Sequence, residues 1–328
     1  MRTYIIRRGI YMFIAMFGVA TILFFMFRML PGDPTAQVIS PALDTATQER
    51  MKAAFGLDKP MHIQYVIYLK NLVTMEWGRS FTSSRPVVDI LVYRFWNTIF
   101  LMVAGLFFAL VIGITMGMIM AWRRNSFLDT GSTVGALFFQ SAPPYITGIL
   151  LLIIFSYKLD LLPTGGMLTA GTSVDQGFGL FFSTDFLYHL ILPTVTVSLY
   201  YLATPMLIMR DSMLEVMGSD FIELAKAKGL APITVMIKHA ARNALLAVVT
   251  VSAIMVGMAI GGQVVVETVF SWPGMGSLMV ESALSHDYPV AQATFFVLAA
   301  LIIILNFVAD LSYCYLDPRI KLSNSSQG

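Results

Sequence analysis

Six stretches of roughly twenty residues, at about 10–30, 97–121, 133–157, 187–209, 243–266 and 292–315, are almost free of charge. A helix needs about twenty apolar residues to cross the hydrocarbon of a bilayer, and it satisfies its own backbone there. The pattern predicts an all-α polytopic membrane protein with six transmembrane helices. Composition agrees: 12% of the chain is charged and 57% hydrophobic, against about 25% charged in soluble domains. The first run follows Arg2, Arg7 and Arg8, as a secretory leader would. It is longer than a typical leader core, and MLPGDP after Arg28 offers no small-x-small cleavage site, so a retained first helix is expected. Arg28 can snorkel from its end.

Six spans put both termini on one side, and the basic residues say which. Three precede span 1, two lie at 122–132, five at 210–242 and two after span 6, whereas 267–290 has none and the other short connector only Lys158. The termini and the 210–242 loop are therefore expected in the cytoplasm. The long 31–96 segment carries seven basic residues, but segments of that length translocate largely regardless of charge. The expected organisation is a first transmembrane helix at 1–30, an outer helical segment at 31–96, a five-helix core at 97–315 and a cytoplasmic tail at 316–328. Within 31–96, Thr45 or Thr47 can cap a helix through QERMKAAF that ends at Gly56, and Met61 to Met75 offers a second amphipathic pattern.

The 210–242 loop is more than a connector. Asp220 followed by Glu223 suits a capping box, and Gly229 suits a left-handed residue closing a short helix. Phe221, Leu224 and Ala225 fall at i, i+3 and i+4, and the stem of Lys228 continues that face. Pro232 opens a second unit in which Ile233, Met236, Ile237 and Ala240 repeat the spacing. A helix of about eight residues is marginal in water, so the first unit needs a surface to rest on. Elsewhere, Gly113-x-x-x-Gly117 lets helices approach closely. Pro143, Pro144, Pro193 and Pro205 interrupt helical hydrogen bonding inside spans 3 and 4; they are pathway or gating candidates, or static kinks absorbed by packing.

The stretch from Ser219 to Thr250 resembles the EAA loop of ABC-importer permeases, in which Glu-Ala-Ala, three residues and Gly mark a cytoplasmic helix that fits a groove on the ATPase. Glu223, Ala225 and Gly229 hold that pattern, while Leu224 replaces the middle alanine and the family's later Ile-x-Leu-Pro is not present at His239, Ala241 and Arg242. AKAKGL followed by KHAARNALLAVVT is similar to the dipeptide/oligopeptide branch, as are LPGDP at 30–34, FGLDKP at 55–60, QYVIYLKNL, WGRSF, the segment from Glu267 to Gly276 and LDPRI at 316–320. The resemblance implies an inner-membrane permease subunit, with 97–315 as the permease core, importing peptides or similar small organic solutes by alternating access. Glutathione, nickel chelates and oligosaccharides are the alternative cargoes. It also implies a second homologous permease, two cytoplasmic ATPase subunits that use ATP and Mg, and an external solute-binding protein, in a bacterial inner membrane. Asp220, Phe221, Glu223, Leu224, Ala225, Lys226, Lys228 and Gly229 would meet the ATPase.

Chemistry of other kinds is missing. There is no G-x-x-x-x-G-K-[ST], no H-E-x-x-H and no G-x-S-x-G, and the four histidines are scattered, so no catalytic residue, cofactor, metal site or nucleic-acid partner is expected of this chain. The single cysteine, Cys314, excludes an intrachain disulfide. Asp310 is the main carboxylate for a proton-coupled mechanism, but near the inner end of span 6, one turn after Asn306, it suits a structural hydrogen bond better. The rival readings are a self-contained carrier or channel with a regulatory loop, and a receptor-like assembly subunit that transports nothing.

Overall fold

A computed structural model describes residues 2–29, 59–171, 177–261 and 264–316. The expected QERMKAAF helix, LPGDP and all but the first residue of the 316–328 tail lie outside them. The described helices include α1 (Arg2–Met29), α2 (Met61–Thr74), α3 (Val87–Trp122), α4 (Phe127–Ser141), α5 (Pro144–Leu151), α6 (Thr184–Tyr201), α7 (Ala203–Met217), α8 (Asp220–Ala227), α9 (Arg242–Gly261), α10 (Val264–Val269), α11 (Met275–Leu284) and α12 (Tyr288–Leu316). Wider π-helical turns occupy Leu152–Lys158 and Val235–Ala241. Among the described residues regular structure is helical throughout. Four helices are long and apolar enough to span a membrane alone, and six spans result if each of two bent pairs counts as one.

Span 3 is not a straight rod: α4 and the helix from Pro144 to Lys158 meet at 104°. Ala142 and Pro143 are extended, with ψ 131° and 133°, and Pro144 starts the next helix. The cause is the one proline chemistry dictates, since neither ring nitrogen donates to the preceding turn. Span 4 bends by 44° between α6 and α7, where Pro205 has no hydrogen to give to Tyr201. Pro193 is buried inside α6.

The chain divides into two compact units. In the unit of residues 99–272 and 308–328, α3 lies against α7 at glycines. A Cβ on Gly113 would come 2.9 Å from the Pro205 ring, and one on Gly117 would overlap the Met206 carbonyl and approach Met209 Cβ to 2.8 Å. A backbone carbonyl, a proline ring and a Cβ cannot swing aside. Gly117→Leu is therefore expected to destabilise the chain by about 3 kcal/mol; thermal unfolding in detergent reads this, and an unchanged midpoint would contradict the close approach. Elsewhere in this unit, Trp272 is fully buried beside Phe186, ring centroids 5.4 Å apart. The Gly166 amide donates to the Phe270 carbonyl at 2.8 Å.

In the other unit, residues 2–98 and 273–307, α2 is seated on the end of α1. Phe24 is fully buried against the rings of Tyr65 and Tyr68, the hydroxyls of Thr21 and Tyr65 are 2.7 Å apart, and Arg28 Nε donates to Gln64 Oε1 at 2.8 Å. The expected amphipathic helix from Met61 is thus present, ended by Met75 in the left-handed region at φ 59°. α3 begins about ten residues before the expected span and runs about 54 Å at 1.5 Å per residue, well beyond a 30 Å hydrocarbon layer. The turns added before the expected span carry Arg94, and Asn97 and Thr98 follow it. They are held by α11: Arg94 reaches Glu281 at 3.0 Å, Asn97 donates to the Pro273 carbonyl at 2.7 Å, and the Met275 amide donates to Thr98 at 2.8 Å. α11 is a helix that the apolar pattern does not announce. Buried Asp287, just before α12, accepts from the Ser80 hydroxyl at 2.5 Å and from the amides of Phe81 and Thr82 at 3.0 and 3.3 Å.

Candidate coupling surface

α8 is eight residues long and follows α7 after a two-residue turn. Its N-cap is Ser219, not Asp220, and no side chain caps it: the Ser219 hydroxyl donates instead to the Val216 carbonyl at 2.5 Å. The expected Asp220–Glu223 capping box is therefore absent. Both acids sit in the first turn, where negative charge favours the positive end of the helix dipole. The C-terminus closes as the sequence predicts. Gly229 has φ +73°, its amide donates to Lys226, and the Leu230 amide donates to Ala225, the paired bonds of a Schellman ending.

The apolar residues of α8 fall into two rows, and the sequence reading merges them. Ile222, fully buried, and Ala225, 5% exposed, insert among Ala121, Met209, Met213, Val235, Ala240, Ala244 and Val248 of the same unit. Removing Ile222 from water contributes about 2–3 kcal/mol, which answers how so short a helix persists. Phe221 and Leu224 instead remain 43% and 57% exposed. Ala225, expected to meet a partner, is committed to the chain's own core. Asp220, Glu223, Lys226 and Lys228 are exposed, and among the described residues their side chains have no partner within the chain. The result is an amphipathic helix seated by one row, presenting two large apolar side chains ringed by four unpaired charges.

α8 is tied to the spans on both sides. After Ala231, Pro232 opens a helical run that passes through the π segment Val235–Ala241 into α9 without a loop. On the other side, Arg210 of α7 clamps Asp129 in the first turn of α4. Arg210 Nε reaches Asp129 Oδ1 at 2.6 Å and Nη2 reaches Oδ2 at 3.0 Å, while the Asn125 amide donates to Oδ2 at 3.0 Å. The Asp129 side chain is 4% exposed and that of Arg210 24%. A two-pronged, charge-assisted pair with one buried member is among the stronger polar ties a chain can form. Sequence reasoning counts Arg210 only as an inward-pointing charge and misses Asp129, because a lone acid in a connector carries no signal until its partner is known. Of the proline candidates, Pro193 and Pro205 are buried and Pro143 is exposed.

Apolar helices of spanning length make this a polytopic α-helical membrane protein. The model of the binding-protein-dependent transport system inner membrane component matches residues 113–322, and that of the N-terminal part of such membrane components matches residues 1–102. The chain belongs to the binding-protein-dependent transport system inner membrane component family, the permeases of ABC importers. A permease protein of Brucella suis is 40% identical over 305 residues, covering 92% of this chain and 93% of its own. The oligopeptide transport system permease protein AppB of Bacillus subtilis is 36% identical over 322 residues, 98% of this chain and 100% of the relative. The glutathione transport system permease protein GsiC of Escherichia coli is 34% identical over 321 residues, 98% and 99%. The fold is shared with the solved inward-facing MetNI methionine ABC transporter, TM-score 0.56 at 18% identity, covering 71% of this chain and 99% of that one.

Proposed function

We propose that this permease imports short peptides, and that α8 is where a cytoplasmic ATPase grips it. The supporting observation is the outward row of Phe221 and Leu224 with its unpaired charges, a combination of apolar anchors and polar rim typical of protein interfaces. Two ATPase subunits, each using ATP and Mg, act on this chain and a second homologous permease, and an external solute-binding protein delivers cargo. Both termini and the 210–242 loop lie in the cytoplasm, following the basic residues. ATP-driven closure of the ATPases moves α8, and with it α7 and α9, so that the pathway opens alternately to each side.

Peptide cargo is the reading favoured by the oligopeptide and glutathione systems of the relatives, since glutathione is itself a tripeptide. Vesicles carrying the full complex test it. ATP-dependent accumulation of short peptides is the expected result, and accumulation without any ATPase would favour a self-contained carrier.

Gly229→Val puts a β-branched residue at φ +73°, costing at least about 1–2 kcal/mol in the turn that ends α8. Membrane insertion is expected to be normal and uptake to fall about tenfold, because the loss is local to the grip. Undiminished uptake by this variant would count against α8 as the transmitting element.

A further inference from the structure

The two broken helices meet at their breaks, and that junction carries polar groups no lipid would tolerate. Gln140, the penultimate residue of α4, donates from Nε2 to the Thr204 hydroxyl at 3.1 Å, and Thr204 is the second residue of α7. The breaks lie near the middle of the bent pairs 127–158 and 184–217. Pro143 and Pro144 supply no hydrogen to the carbonyls of Phe139 and Gln140, and Pro205 supplies none to that of Tyr201. Gln140, Ser141 and Pro143 are exposed and Thr204 is half-buried. Irregular backbone and an exposed carboxamide at membrane depth persist only where protein covers them or water reaches them. In many secondary transporters the substrate site lies where discontinuous helices meet near the midplane.

We infer that the junction of Gln140, Ser141 and Thr204 forms part of the wall of the aqueous cargo path, with the Gln140 carboxamide positioned to exchange its bond to Thr204 for one to cargo. This rests on the importer reading. The chemistry it would recognise is neutral and hydrogen-bonding: residues 131–151 and 195–209 contain no Asp, Glu, Lys, Arg or His, and a carboxamide both donates and accepts, as a peptide main chain does. A charged wall would discriminate among cargo side chains. This one meets what all peptides have in common.

Cys314 is the only cysteine of the chain, so Cys314→Ser gives a clean parent for the test. Gln140→Cys and Thr204→Cys are made in that parent, assembled with the ATPases in nanodiscs and exposed to a charged methanethiosulfonate reagent. Val103→Cys, on the exposed apolar stripe with Phe107 and Val111, sets the baseline for an apolar surface of the spans. Gln140→Cys is expected to react at least about tenfold faster than Val103→Cys, since water must reach it, and its modification should block uptake of a radiolabelled pool of short peptides. Reaction no faster than the baseline would overturn the inference, as would full uptake after complete modification. A parent that takes up no peptide with ATP speaks against the importer reading for peptides. A parent that takes them up while Gln140→Cys stays inert speaks against this inference alone.

Discussion

A chain carrying Phe221→Glu and Leu224→Glu together is expected to insert and fold normally yet recover almost no ATPase on purification. The two side chains are 43% and 57% exposed, so replacing them costs the isolated subunit little; surface changes away from special features lie within about 0.5 kcal/mol. At an interface the balance reverses. Two large apolar anchors are worth about 2 kcal/mol each when they are the centre of a contact, and buried carboxylates in their place add a penalty of their own. A loss of at least about a thousandfold in affinity follows from a combined 4 kcal/mol. Equal recovery of ATPase with the double variant would show that the partner grips elsewhere. Ile222→Ala separates the two rows. It empties the inward seat, so it should lower the unfolding temperature as well as partner recovery, whereas the double glutamate variant lowers only the latter.

Asp129→Leu should destabilise the protein by about 3–5 kcal/mol, the usual result of removing one member of a largely buried pair. Arg210 would keep only Asp211, whose side chain is 71% exposed, and its charge would face the site that the carboxylate vacated. Asp129→Leu with Arg210→Met removes both charges and should recover much of the loss, because no unpaired cation remains. Thermal unfolding of the two variants beside the wild type gives the comparison. If Asp129→Leu were as stable as the wild type, the clamp would contribute nothing and α4 would be held to α7 by packing and the Gln140–Thr204 hydrogen bond.

How much of this is legible in the sequence depends on whether the cause is local. The spans are, because a long apolar run has one physical reading in a bilayer. So are the break at Pro143–Pro144 and the left-handed Gly229, since each follows from the geometry of one residue. The seat of α8 is not. Ile222, Phe221, Leu224 and Ala225 all fit an apolar sector of so short a helix, and only the neighbours Met209, Val235 and Ala244 select Ile222 and Ala225 as the inward pair. α11 is hidden by the Ser-Trp-Pro-Gly turn before it, which reads as loop, and by its ten residues, too few to announce a helix through hydropathy. The clamps at Asp129 and Asp287 join residues 81 and about 200 positions apart, a relation that no window along the chain contains.

Where the structure joins distant connectors within a unit, it joins those that a six-span path puts on a common side. Asp129 and Arg210 link 122–132 with 210–242, Gly166 and Phe270 link the connectors after spans 3 and 5, and Ser80 with Asp287 links the segment before span 2 to the one before span 6. Crossed pairings would have contradicted the six-span path.

Because Ile222 and Ala225 anchor α8 within the chain itself, its eight residues are ordered without any other subunit. The entropy of freezing a short helix, which would otherwise weaken every encounter, is settled during folding. In the coupling role proposed for α8, association and release would then be quick and repeated without the element melting between cycles, and a push delivered to Phe221 would be felt at once by the helices behind it.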